Sequence, residues 1–133
     1  MDKGSYVLLI EVKTRLEIRT RARRFELLPG FYCYAGSALG SLSGRVKRHL
    51  KKSKNKFWHI DFLLEKGKVL SAVLLPSSIK REEEISALLQ EFGEAVKGFG
   101  ASDCRVSSNL YKIEKEDFYK ALKSIYEHMG VFT

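Results

Sequence analysis

The sequence predicts an α+β fold, a small and mostly antiparallel central sheet flanked by helices. Three observations lead there. Apolar runs of strand length stand at Tyr6 to Val12, Phe31 to Tyr34 and Val69 to Leu75. Helical periodicity marks the segments beginning at Ser41, Glu82 and Phe118. The strand-like segments of the first third follow one another closely, as in an antiparallel meander.

Taken in order, Tyr6 to Val12 (YVLLIEV) is continuously apolar, which suits a central strand buried on both faces. Leu16 to Arg19 alternates apolar and polar, as a half-exposed strand does. Thr20 to Arg24 reads as a basic turn, and Phe25 to Leu28 as the return strand. Pro29-Gly30 opens a turn into the Phe31 to Tyr34 strand. Gly36-Ser37-Ala38 and Gly40 leave backbone N–H groups accessible, and Ser41 suits the cap of the next helix. In that helix Leu42, Val46 and Leu50 are expected to face inward, with Arg45 and His49 together on one flank. Lys51 to Lys56 (KKSKNK) is a basic loop. Phe57 to Leu64 (FWHIDFLL) reads as one or two helical turns, and Val69 to Leu75 as a buried strand stopped by Pro76. Glu82 to Phe92 places Ile85, Leu88, Leu89 and Phe92 on one face, with three glutamates at the positive end of its dipole. Gly98 to Ser102 is a second Gly-rich turn, and Arg105 to Ile113 a strand. The last helix turns Phe118, Leu122, Ile125 and Met129 inward and ends at Gly130.

A chain of 133 residues with 44% hydrophobic content is long enough for one domain with its own core, spanning residues 1–133. The formal charge of +8 favours a polyanionic partner, and nucleic acid is the usual one. The basic residues are clustered: Arg15 to Arg24 holds five arginines, and Arg45 to Lys56 holds most of the rest of the middle. A Lys- and Glu-rich solvated surface is the plainer explanation of the same composition. Two separated cysteines, Cys33 and Cys104, make neither a disulfide framework nor a four-ligand zinc site, which suits an intracellular, cytoplasmic location. The start lacks a signal-peptide apolar region, and no run reaches membrane-spanning length.

The stretch Gly30 to His49 (GFYCYAGSALGSLSGRVKRH) reads as strand, Gly-rich turn and helix. A tyrosine, an arginine and a histidine around such a turn suit a phosphate, although the same local structure needs no ligand. In order and spacing, the chain resembles the GIY-YIG nuclease superfamily, most closely its small Uri-type endonuclease-like branch, which also occurs fused to endonuclease III-type repair proteins. Gly4-Ser5-Tyr6 stands in place of the GIY triplet and Tyr34-Ala35-Gly36 in place of YIG. Arg45 and His49 match the R-x-x-x-H helix that follows. Phe57 to Leu64 and Gly98 to Cys104 (GFGASDC) look like two further motifs of the branch.

The resemblance implies phosphodiester hydrolysis with one divalent metal, Mg²⁺ or Mn²⁺. It implies Arg45 as the phosphate clamp, Tyr6 orienting or activating water with its pKa lowered by Arg45 and the metal, and Tyr34 in the same cluster. Glu82 is the implied metal ligand, from a register three before an apolar and four before a small position, with Glu83 and Glu84 as alternatives. His49 either contacts phosphate, shares general-base work or is a surface residue, and the tyrosines otherwise read as core packing. Lys47, Arg48, Lys51 and Lys52 beside Arg45, with Asn109, are the expected nucleic-acid contacts, DNA before RNA, with a repair protein as a further possible partner. His59 and Asp61 are expected to be structural, Asp103 to hold its turn, and His128 to lie at the surface. Ser5 and Ala35 replace isoleucines, a change expected to affect packing only. Val106 and Asn109 replace an expected cysteine and histidine, which keeps open a non-catalytic nucleic-acid-binding module. The basic stretch Leu16 to Leu28 is expected to be an extra hairpin that leaves the pairing of the two motif strands intact.

Overall fold

The computed structural model describes residues 1–20, 23–51, 56, 59–100 and 108–129. Its centre is a five-stranded antiparallel sheet flanked by four helices, an α+β fold. The strands are β1 (Gly4–Val12), β4 (Gly30–Ala38), β5 (Lys68–Pro76), β6 (Glu94–Ala95) and β7 (Leu110–Lys112), in the order β5-β1-β4-β7-β6. The hairpin β2 (Leu16–Arg19) with β3 (Arg24–Leu27) forms a separate two-stranded sheet. The helices are α1 (Leu42–Leu50), α2 (His59–Lys66), α3 (Glu82–Gln90) and α4 (Lys115–His128).

The uninterrupted apolar run of β1 has a direct cause: the strand pairs on both sides and is covered on both faces. Successive side chains alternate between two cores. Tyr6, Leu8, Ile10 and Val12 join Leu42 and Val46 of α1, Ile60, Leu63 and Leu64 of α2, and the hairpin's Ile18, Phe25 and Leu27. Val7 and Leu9 join Ile85 and Leu89 of α3 and Phe118, Ala121 and Ile125 of α4. At the start of α1, Ser41 Oγ accepts from Gly44 N at 3.0 Å. Asp2 adds a second cap, accepting from Ser43 N at 2.7 Å and from the Ser41 and Ser43 hydroxyls. These bonds, the Ser43 backbone first, hold the Asp2 carboxyl below the usual carboxylate range.

Several expectations need correction. The early strands are not a simple meander, because β1 pairs with β4 directly and the hairpin leaves the sheet between them. The extra hairpin does leave the two motif strands paired over all nine residues. Leu50 is exposed, and His49 takes the inward place. At about 100° per residue, His49 lies closer than Leu50 to the line of Leu42 and Val46. β5 is a half-exposed edge strand, because only β1 pairs with it. The third helix stops at Gln90, leaving Phe92 half-buried beyond it, and the short strand β6 was not foreseen. Between Arg105 and Ile113 the described strand is Leu110–Lys112, and residues 101–107, like Gly130, lie outside the described residues.

Helices α1 and α2 are joined by one ion pair. Arg48 donates through Nη1 to Asp61 Oδ1 at 2.6 Å and through Nη2 to Oδ2 at 2.9 Å. The Asp61 side chain is fully buried, so its charge depends on that fork. Asp61→Ala would remove this tie between the two helices and should cost about 2 kcal/mol, the scale of hydrogen bonds to charged groups. Urea unfolding measures this, and an unchanged midpoint would show that the pair contributes nothing.

Candidate functional site

The site forms where the first residues of β1, the last residues of β4, α1 and the start of α3 meet. They enclose a cleft of about 630 Å³. The β1–β4 register sets Tyr6 directly opposite Gly36. A Cβ at residue 36 would overlap the Tyr6 hydroxyl and Cζ, so the phenol lies on bare backbone. Gly4 has a different reason. Its φ is 142°, and a Cβ there would come 2.5 Å from Leu75 O and Ser77 N, so β1 can begin tight against the end of β5.

Tyr6 is buried, and its hydroxyl lies 2.7 Å from His49 Nε2. Tyr34 stands beside it, the two rings 6.3 Å apart. One turn before His49, Arg45 donates from Nη1 to Ser37 O at 3.1 Å and lines the cleft. Burial pushes the Tyr6 phenol well up from its usual value, the adjacent Arg45 cation pulls down, and Glu82 raises it again. Tyr34 is likewise pushed up by burial. Without a metal, burial outweighs the arginine, so Arg45 alone does not lower the Tyr6 pKa.

The start of α3 reaches the same cleft because Arg81 N donates to Ser5 Oγ at 3.2 Å. Ser5 thus does more than pack; it anchors this end of the helix beside β1. Glu82 and Glu83 line the cleft. Glu84 points elsewhere and pairs with His128 at 3.0 Å, which removes it from the alternatives. His128 is a surface residue, as expected, and this pair ties α4 to α3. Lys80, on the loop before α3, also lines the cleft, and the sequence reading missed it. The available signal was a cation two residues ahead of the acidic helix start.

The far wall is Gly100, whose N–H donates to His59 Nδ1 at 2.9 Å and whose carbonyl accepts from Asn109 Nδ2 at 2.9 Å. Asn109 Oδ1 accepts from the Ser86 hydroxyl at 3.1 Å. Asn109 lines the cleft, and the bonds of its amide to Gly100 O and to the Ser86 hydroxyl brace the far wall. His59 has the structural role expected of it, through the backbone. Arg48 is held by Asp61 through Nη1 and Nη2. Lys47 and Lys51 are exposed away from the cleft lining, while Lys52 and Asp103 lie outside the described residues. Tyr6, Tyr34, Arg45 and Glu82 do converge, with His49 behind Tyr6.

A family description matches residues 5–131, nearly the whole chain. The chain belongs to the family described as a domain of unknown function, DUF123. No curated protein and no solved structure matches it. The family's description names no activity, so a functional reading rests on the residues of the cleft. Among the described residues no helix is long and apolar enough to cross a membrane, and no cluster of three or more His, Cys, Asp or Glu side chains is placed to hold a metal.

Two outcomes are expected. Gly36→Ala should cost about 2 kcal/mol by overpacking against Tyr6, and most of that cost should vanish in a Tyr6→Ala background, read as a double-mutant cycle. An equal cost in both backgrounds would place the strain elsewhere. Burial first, then the Arg23 cation, lowers the His59 pKa below its reference value of 6.5. The unfolded chain therefore binds this proton more readily than the folded one. The stability that neutral His59 contributes is full above about 6.5 and lost as pH falls through the window below it. Thermal melts across that range should show the slope, and His59→Asn should remove it.

Proposed function

We propose that this chain is a metal-dependent endonuclease that hydrolyses phosphodiester bonds in nucleic acid, DNA by preference. The observation that carries the reading is the convergence of Tyr6, Arg45 and Glu82 on one cleft, with the Tyr6 hydroxyl 2.7 Å from His49 Nε2. The small GIY-YIG-like pattern of the sequence supplies the reaction class.

A phosphodiester brings negative charge that grows in the transition state. Arg45 would hold two of its oxygens through the planar fork of its guanidinium, with Lys80 adding charge at the rim. Tyr6 is a neutral phenol here, so it would act as a relay, orienting the attacking water and passing a proton to His49 Nε2. That direction requires the His49 tautomer with Nε2 unprotonated. Tyr34 would pack against this pair and limit its motion. The cleft also suits a hard cation: Glu82, with Glu83 beside it, offers oxygen donors of the kind Mg²⁺ prefers, one or two carboxylates with the remaining positions for water and phosphate. Such an ion, when bound, would supply Lewis-acid stabilisation of the departing 3′ oxygen. The fixed β1–β4 register and the Ser5–Arg81 bond would keep the carboxylate and the phenol on one substrate.

Labelled DNA and RNA substrates incubated with Mg²⁺ or Mn²⁺ test this. Metal-dependent cutting is expected, reduced roughly 100-fold or more by Glu82→Ala and by Tyr6→Phe. Intact nucleic-acid binding in all three proteins without any cutting would replace the nuclease with a non-catalytic binding module.

A further inference from the structure

The arginines of the β2–β3 hairpin are not equivalent. On the outer face, Glu17 stands opposite Glu26, and Arg19 opposite Arg24. Like charges directly opposed would repel. Here they are cross-linked: Arg19 Nε lies 2.5 Å from Glu17 Oε1, Arg24 Nη2 2.8 Å from Glu17 Oε2, and Arg15 Nη2 2.9 Å from Glu26 Oε2. Three arginines are thus matched with two glutamates, and this face is largely neutralised.

Arg23 is different. It sits in the tight turn where Thr20 N donates to Arg23 O at 2.9 Å and Arg23 N to Thr20 Oγ1 at 3.1 Å. Its side chain leaves the hairpin and crosses to the loop before β7. There Gly98 has a φ of 79°, and a Cβ on it would overlap Arg23 Nη1. The guanidinium therefore rests on bare backbone, two residues from Gly100, the wall of the cleft. Two residues span at most about 7 Å. The placement is braced by packing: the Phe25 ring lies 5.1 Å from His59 and 5.0 Å from Phe99, and Phe99 lies 6.2 Å from Tyr34. Among the described residues no carboxylate lies within 4.0 Å of Arg23, whereas Arg15, Arg19 and Arg24 each have one.

We propose that Arg23 is a second phosphate-binding residue, which holds the backbone of a nucleic acid strand beside the phosphate engaged by Arg45. The inference rests on the nucleic-acid reading of the cleft and extends its footprint onto the hairpin. Arg23 is exposed and has no carboxylate partner among the described residues, so a phosphate oxygen could accept from its guanidinium N–H groups. Arg23 would be a binding residue rather than a catalytic one, and its contact would carry no sequence information.

The test is equilibrium binding of a labelled duplex of mixed sequence without divalent metal, over a series of salt concentrations. Arg23→Gln keeps length and loses charge; Arg23→Lys keeps charge and loses the fork. Arg23→Gln is expected to weaken binding roughly tenfold and to flatten the log–log salt slope by about 0.9, while Arg23→Lys retains the slope. A merely structural role would shift the melting temperature and leave the slope alone. Wild-type binding with an unchanged slope in Arg23→Gln would overturn this inference while leaving the nuclease reading intact. A wild type that shows the Arg23 effect but never cuts with Mg²⁺ or Mn²⁺ would support the inference and overturn the nuclease. A wild type that binds no nucleic acid would overturn both.

Discussion

The pairing of β1 with β4 is the constraint on which the rest depends. It runs over nine residues, from Gly4 opposite Ala38 to Val12 opposite Gly30. Strand side chains alternate with period two, so a slip of one residue would send Tyr6 to the α3–α4 core and Val7 to the cleft. It would also put a side chain under the phenol in place of Gly36. The glycine and the tyrosine thus enforce each other's position. The hydroxyl then meets His49 only because α1 follows β4 after a short turn, with Ser41 and Asp2 fixing where the helix begins. Geometry at the cleft is inherited from the sheet.

Charge is distributed by the same economy. A formal charge of +8 suggests a uniformly basic surface, yet many cations are committed. Arg48 is bound to the buried Asp61, and Arg15, Arg19 and Arg24 to the two glutamates of the hairpin. Exposed pairs of this kind contribute little stability, on the order of 0 to 1 kcal/mol each. Their effect is to subtract attraction from surfaces away from the cleft. On the cleft lining the cations Arg45 and Lys80 face the carboxylates Glu82 and Glu83, so charge there is balanced and of both signs, while Arg23 lies against Gly98 outside that lining.

Much of the fold was legible because its signals are local. The apolar run of β1, the Ser41 cap and the spacing of Phe118 and Ile125 each follow from one segment's own pattern. The errors arose where a partner decides. Val69 to Leu75 is as apolar as β1, and only the sheet order makes it an edge. Leu50 and His49 adjoin, and the Tyr6 hydroxyl adds to the helical angle in holding the histidine inward. Arg48 reads as one basic residue among several until Asp61, thirteen residues on, is brought beneath it. That Tyr6, Tyr34, Arg45 and Glu82 line one cleft follows from no segment's own pattern; only the resemblance put them forward together. Among the three successive glutamates, His128 pairs with Glu84, while Glu82 and Glu83 both line the cleft.

The buried phenol also limits the chemistry that the cleft can do. A tyrosine acting as a base must first lose its proton, and burial among Leu8, Ile60 and Tyr34 makes that charge costly. Arg45 reduces the penalty but does not remove it, and Glu82 increases it. A neutral phenol can still move a proton if it receives one as it gives one away, and the His49 nitrogen at 2.7 Å is placed to take it. In the proposed reaction neither residue then holds a net negative charge in the apolar pocket. The carboxylate of Glu82 stays at the polar edge of the cleft, where a cation could compensate it. Separating the proton path from the carboxylate in this way lets one side of the cleft be dry and the other wet. That division follows from the fold, since Tyr6 lies on the apolar side of β1 and Glu82 opens a helix at its end.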